Sequence, residues 1–345
     1  MHAQPGRVST VDALRGIASI SVAWFHFTQA NPALGQGLLK SSGKYGWLGV
    51  DMFFVISGFV IPYSLQKIRF GHEQFWRFLA KRIVRLDPPY FADICFVVLL
   101  AYLAPFVPGF RGGRPHFTAT QLLCHVAYLN SVVGKPWINP VFWSLGIEFQ
   151  YYLLMGLIFP LLAAPSRLIR ALTIGALLVP GFFVVRPSLL FAHLPAFVAG
   201  ILTFERKIGY MSNRSFLGGL ALTCMVAGFG GGPSIAAIGA GTALVIAFVE
   251  LRGKILIWLG LISYSLYLVH VPVGGKIIDL GARYTHGAIG QIIVLIAAVA
   301  CSILAAWVLY RAVELPSQRF SSRISYGRPS VRDARDPAQC RVAAD

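Results

Sequence analysis

The sequence predicts an all-α protein, a polytopic transmembrane helical bundle of about ten spans with both termini cytoplasmic. Three observations carry that reading. The 345 residues are 56% hydrophobic and 12% charged, whereas a soluble domain carries roughly 25% charged residues. The apolar residues fall in runs close to the roughly 20 residues that a helix needs to cross a bilayer. The basic residues concentrate in alternate loops, as the positive-inside rule requires. A formal net charge of +17 would otherwise suggest nucleic acid, but clustering of cations beside apolar spans excludes that partner.

Taken in order, the expected spans are 11–30, 46–66, 88–107, 141–164, 167–185, 188–204, 214–230, 235–251, 255–275 and 288–312. The first follows Arg7 and ends in Thr28-Gln29-Ala30, the layout of a cleaved secretory signal. Asp12, Arg15 and His26 have no place in a secretory core, so the segment is read as a retained helix. With the N-terminus inside, 21 of the 30 basic residues lie in cytoplasmic segments and 8 in outer ones. The protein is thus expected to be a multi-pass protein of a bacterial inner (cytoplasmic) membrane. Residues 1–316 form the membrane domain. Residues 317–345, rich in Arg, Pro and Ser, form a basic, disordered cytoplasmic tail that can touch anionic lipid headgroups. No period-two alternation supports a barrel. The five cysteines have no paired spacing, so no disulfide framework or metal site is expected.

Ionisable residues inside a span are costly, about 2.5 kcal/mol or more at a helix centre, and each needs a reason. Arg15 and His26 stand eleven residues apart, on one helix face and roughly 16 Å apart along the axis. Asp12 lies one turn before Arg15 and can pair with it. Asp51, Glu148, His193 and His270 fall at a similar depth to His26, below the outer boundary of their spans. Such a layer suggests an interior polar chamber. Asp51 can equally cap a helix near water, and His193, beside Leu194-Pro195, reads better as a packing histidine. The loop 71–89 gathers Arg77, Lys81, Arg82 and Arg85, and Arg82 and Arg85 share a face if it is helical. Such a cluster can hold phosphate or serve only topology.

Several motifs resemble the bacterial membrane acyltransferase 3 family, which includes acetylases of O-antigen, exopolysaccharide and Nod factors. They are VDALRGIASISVAWFH (Val11–His26), GVDMFFVISGF (Gly49–Phe59, holding Asp51 and Ser57), FLAKRIVRLDPPY (Phe78–Tyr90) and FWSLGIEFQYY (Phe142–Tyr152). ISYSLYLVHVP (Ile262–Pro272, holding Tyr264 and His270) and VELP (Val313–Pro316) resemble its late motifs. The resemblance implies an acyl-CoA donor, usually acetyl-CoA, approached from the cytoplasm and an acceptor modified toward the outer face. It implies His26 as the essential histidine, Arg15 as its partner, and Arg82 and Arg85 as the donor-associated pair. Asp87, an acid beside that pair, departs from the pattern, and the hydrolase-like extension of some relatives is not seen.

The expected function is a membrane O-acyltransferase that moves an acyl group, in the first place acetyl, from acyl-CoA to a hydroxyl of a carbohydrate acceptor. An exopolysaccharide or lipid-linked saccharide would suit. Neutral His26, with an ordinary imidazole pKa of about 6.5, accepts the hydroxyl proton. Glu148 orients or charge-balances it, or is equally a structural partner, with Asp12, Asp51, Ser57, Tyr264 and His270 in support. Acyl-CoA is a co-substrate and no bound cofactor or metal is expected. Polysaccharide-assembly proteins are possible partners. The alternatives are acylation of a small glycosylated natural product, a transporter of an anionic solute, and a non-catalytic member of an assembly complex.

Overall fold

A computed structural model describes residues 8–31, 34, 37–106, 115–183, 187–285 and 287–326, and every regular element among them is helical. The main helices are α1 (Ser9–Gln29), α2 (Gly49–Lys67), α3 (Phe75–Leu103), α4 (Phe142–Leu162), α5 (Arg167–Leu178), α6 (Leu194–Lys207) and α7 (Asn213–Gly231). They continue with α8 (Pro233–Phe248), α9 (Lys254–Leu261), α10 (Ser263–Val269), α11 (Lys276–Tyr284), α12 (Ala288–Leu309) and α13 (Leu315–Ser322). Turns of π-helix, His270–Gly275 and Tyr310–Glu314, join α10 to α11 and α12 to α13. Arg7 and residues 327–345 of the expected tail lie outside the described residues.

Among the described residues, four helical stretches are long and apolar enough to cross a membrane: Leu38–Lys67, His72–Phe106, Phe142–Leu162 and Ala288–Ser322. The pair Lys254–Leu261 and Ser263–Tyr284, bent by 59°, makes a fifth if counted as one span. The other helices read as spans are shorter or more polar. α5, α6 and α8 have 12, 14 and 16 residues, and the polar stripe of α1 lowers its apolarity.

Two boundaries move. The stretch 71–89, expected as a loop, is mostly the first half of α3, which runs on through Pro88 and Pro89. Each proline removes one N–H from the ladder, and close by the Tyr264 hydroxyl donates to Leu86 O at 2.9 Å. The expected tail also starts too early. α13 carries the chain as helix to Ser322, because Ser321 Oγ donates to Lys81 O at 3.0 Å and docks it on α3.

The core centres on α2, with α1, α4 and α6 around it. Every α6 residue from Leu194 to Glu205 is buried. Two glycine pairs set the closest approaches. A Cβ on Gly58 would strike Phe197 O, and one on Gly200 would strike Val55 O, so α2 and α6 meet backbone to backbone. Gly16 and Gly260 do the same for α1 and α9, where added Cβ atoms would strike Leu256 O and Asp12 O. Small residues at such crossings are a hallmark of helix packing in lipid. Arg170, read as a topogenic cytoplasmic charge, is instead buried against Glu205, with Nε to Oε2 at 3.2 Å. It also ties down the turn between α4 and α5 by donating to Ala164 O and Pro165 O.

Candidate functional site

The unbroken α1 presents Arg15 and His26 along one face toward the bent segment α9–α10. Close contact at Gly16 and Gly260 brings Arg15 Nε to 3.3 Å from Ser263 Oγ, right at the bend. Further along, the rings of His26 and His270 lie 5.2 Å apart between centroids, tilted by 49°. Ser263, Tyr267 and His270 stand at i, i+4 and i+7, so one face of the helical path turns toward α1. His270 is fully buried, and its Nδ1 bonds Leu266 O at 3.0 Å as donor. Its Nε2, left as an acceptor, has no hydrogen-bond partner among the described residues. The π turn begins at His270, and such turns recur at functional sites.

Glu148 stands elsewhere. Its Oε1 accepts from Ser57 Oγ at 2.8 Å and not from His26, the partner that the sequence offered it. The two groups are on either side of Tyr267, whose ring is 5.9 Å from His270 and which lines a small cavity with Glu148. Tyr267 is pinned there by Val141 O at 3.1 Å and Ser144 Oγ at 2.6 Å.

Cavities connect Arg15, Glu148 and Tyr267, and neither His26 nor His270 lines them. Arg15, Ser57, Glu148, Tyr264 and Tyr267 line one small space. Glu148 and Tyr264 also line a second with Arg82, Asp87 and Tyr152. Arg15 reaches in the other direction into a cavity of about 580 Å³, lined also by Asp12, Arg85 and Glu314. Arg15 is therefore the threshold between a wide chamber and the narrow polar space around Glu148.

Arg82 and Arg85, expected to act together, part company. Arg82 Nη2 donates to Ser64 Oγ at 3.2 Å and lies over the rings of Phe78 and Tyr152. Arg85 faces the large cavity. Asp87 accepts from the Tyr128 hydroxyl at 2.9 Å, which gives that acid a structural partner. Asp51 is buried in the first turn of α2, where an acid complements the helix dipole. His193 bonds Pro187 O at 2.9 Å and packs on Phe54 and Trp143, in keeping with a packing role.

Sequence reasoning passed over three groups. Glu314, buried, accepts from Ser265 Oγ at 2.6 Å and from Gln318 Nε2 at 2.9 Å. It falls just past the last expected span, although VELP had marked it. Asn139 ties Asp93 Oδ2 at 2.9 Å to Leu268 O at 3.0 Å, joining α3, α10 and the segment before α4. His125, buried outside the spans, bonds Gln121 O at 2.8 Å and accepts from the Ile138 N–H at 3.0 Å. No periodic pattern announces the last two, which sit in or against an irregular segment.

A family model for an acyltransferase domain matches residues 8–311. The chain belongs to this acyltransferase family. Among curated relatives, an O-acetyltransferase of Staphylococcus aureus, OatA, is 28% identical over 372 residues, covering 91% of this chain and 58% of the relative. A viral protein named as an acetyltransferase, ORF330 of Acidianus two-tailed virus, is 34% identical over 42% of this chain and 39% of its own. The peptidoglycan O-acetyltransferase OatA of Listeria monocytogenes is 30% identical over 43% of this chain and 23% of its own. The chain thus spans well under two thirds of the relatives it matches. No solved structure matches it. The acyltransferase match takes in α1 to α12, and with them the helices that bear Arg15, His26, Glu148 and His270.

Proposed function

We propose that this acyltransferase moves an acetyl group from acetyl-CoA to a hydroxyl of a carbohydrate acceptor, working as a membrane O-acetyltransferase. The observation that carries the reading is the run of cavities from the basic end of the bundle, past Arg85 and Arg15, to the polar space lined by Tyr267, whose ring lies 5.9 Å from that of His270, the partner of His26. A thioester entering among arginines would reach Tyr267, behind which the His270 and His26 rings are packed. In the ten-span, cytoplasmic-termini topology, that histidine layer lies near the outer leaflet, where an exopolysaccharide, a cell-wall glycan or a lipid-linked saccharide would meet it. The names of the Staphylococcus and Listeria relatives support O-acetyl transfer and a glycan acceptor.

In the step itself a neutral His26 nitrogen takes the proton of the acceptor hydroxyl while its oxygen attacks the thioester carbonyl carbon. The C–S bond breaks, the ester forms, and the coenzyme A thiolate leaves and takes up the proton from His26. His270 packs against His26 and orients its ring. Arg15, held by Ser263 Oγ, steadies the donor at the threshold. Glu148, set by Ser57, is placed to bind an acceptor hydroxyl rather than to act on His26.

Purified protein in lipid discs is given acetyl-CoA with and without glycan fragments, and free thiol and O-acetyl ester are measured. Thiol release that depends on acceptor and matches ester formed supports the reading. Transport of an acylated solute with no thioester consumed overturns it in favour of a transporter.

A further inference from the structure

A second cavity of about 600 Å³ opens at the basic end and is not used by the mechanism above. It is lined by Lys67, Ile68 and Arg69 from the end of α2, Lys81 from α3, and Ser322–Tyr326 from the end of α13. Four cations, Lys67, Arg69, Lys81 and Arg323, share it, and among the described residues no acidic side chain lines it. Such a concentration of like charge in one concavity is unfavourable unless an anion offsets it. An aromatic wall is built in as well. Arg77 Nη1 donates to Tyr326 O at 2.8 Å and Lys81 Nζ to Ile324 O at 3.3 Å, strapping the segment after α13 onto α3. That strap sets the Tyr326 ring 4.8 Å from Lys81 Nζ.

Arg69 supplies an independent observation. It stands at φ +49, in the left-handed region that ends α2, with Phe70 N bonded to Leu65 O. Glycine is the usual residue at that helix stop, because any side chain there is strained. An arginine is held there, exposed and facing the cavity. Lys81 and Ser322 line both this cavity and the 580 Å³ chamber, so the two adjoin.

We propose that this cavity binds the phosphorylated adenosine end of the donor thioester. The pantetheine arm then runs through the adjoining chamber past Arg85 to Arg15. Lys67, Arg69, Lys81 and Arg323 hold phosphoryl oxygens by charge-assisted bonds, and Tyr326 offers a ring for the base to stack on. This placement rests on coenzyme A thioester being the donor, and it assigns the nucleotide to residues other than the Arg82 and Arg85 of the family resemblance.

The test measures equilibrium binding of coenzyme A and of 3′-dephospho-coenzyme A to the protein in zwitterionic lipid discs. Arg69→Gly suits the local backbone, so its thermal midpoint should equal or exceed that of the unaltered protein. Its affinity for coenzyme A should fall by about tenfold, with Arg69→Lys recovering part of the loss. Tyr326→Ala should weaken both ligands by a similar factor. Equal coenzyme A affinity in the unaltered protein and Arg69→Gly overturns the placement while leaving the donor reading intact. Failure of the unaltered protein to bind coenzyme A overturns both. A phospholipid headgroup offers the same phosphate chemistry. If Arg69→Gly instead loses bound phosphatidylglycerol, seen by native mass spectrometry, with coenzyme A affinity unchanged, the cavity is a lipid site and the proposal falls.

Discussion

An imidazole facing a second imidazole, as His26 faces His270, can be tested by removing either ring. His26→Ala should lower kcat by at least about 100-fold, the usual range for a lost general base, with coenzyme A affinity unchanged. A kcat within about threefold of the unaltered protein would remove His26 from the chemistry. Ser57 and Glu148 share one bond, so Ser57→Ala and Glu148→Gln should be non-additive. A double-mutant cycle on turnover should return a coupling of about 1–3 kcal/mol, as for bonds to charged groups. His125 tests a different property. Burial lowers its pKa below the ordinary 6.5, so the unfolded chain binds a proton near that value and the folded chain does not. Stability is then complete above about 6.5 and declines as pH falls below it. The thermal midpoint of the purified protein should drop on acidification, and His125→Gln should flatten that dependence.

Helix crossings here are decided by absent side chains. Where α2 meets α6, Gly58 and Gly200 let carbonyls approach within van der Waals reach of Cα. Gly58→Leu forces the pair apart and should cost about 1–3 kcal/mol, read as a fall in thermal midpoint together with activity. Gly175 in α5 has open space around it, so Gly175→Ala should instead gain about 0.5–1 kcal/mol from helix propensity alone. If both changes acted alike, close packing at the crossing would not be what holds α2 and α6 together there. The bend at Ile262 and the π turns at His270 and Tyr310 have a related logic: each displaces the helical register so that Ser263, His270 and Glu314 face inward. None of the three leaves a periodic mark, which is why the expected span 255–275 read as a single straight helix.

Taken as one object, the protein gathers a cluster of cations at one end, around the two large cavities, with its paired histidines deeper in. The positive-inside rule predicts that this basic end faces the cytoplasm. Reporter fusions at the two termini should give the same, cytoplasmic signal, and a cysteine placed at Lys135 should be labelled only from the other side. Labelling of position 135 from the cytoplasm would require a different topology and would put the candidate site at the wrong face for an external glycan.

Hydropathy and spacing alone determined the helical class, the limits of the first two spans and the shared face of Arg15 and His26, because these depend on a helix's own period and on the free energy of burying charge in lipid. The motif order did the same for family membership. Tertiary structure decided everything that needs two helices at once. It separated Glu148 from His26, divided Arg82 from Arg85, and buried Arg170 on Glu205. It also drew Glu314 and His270 inward. Depth along an axis can be counted from a sequence, but the rotation and neighbour of each helix follow from where glycines allow contact and where a ladder of hydrogen bonds slips by one residue.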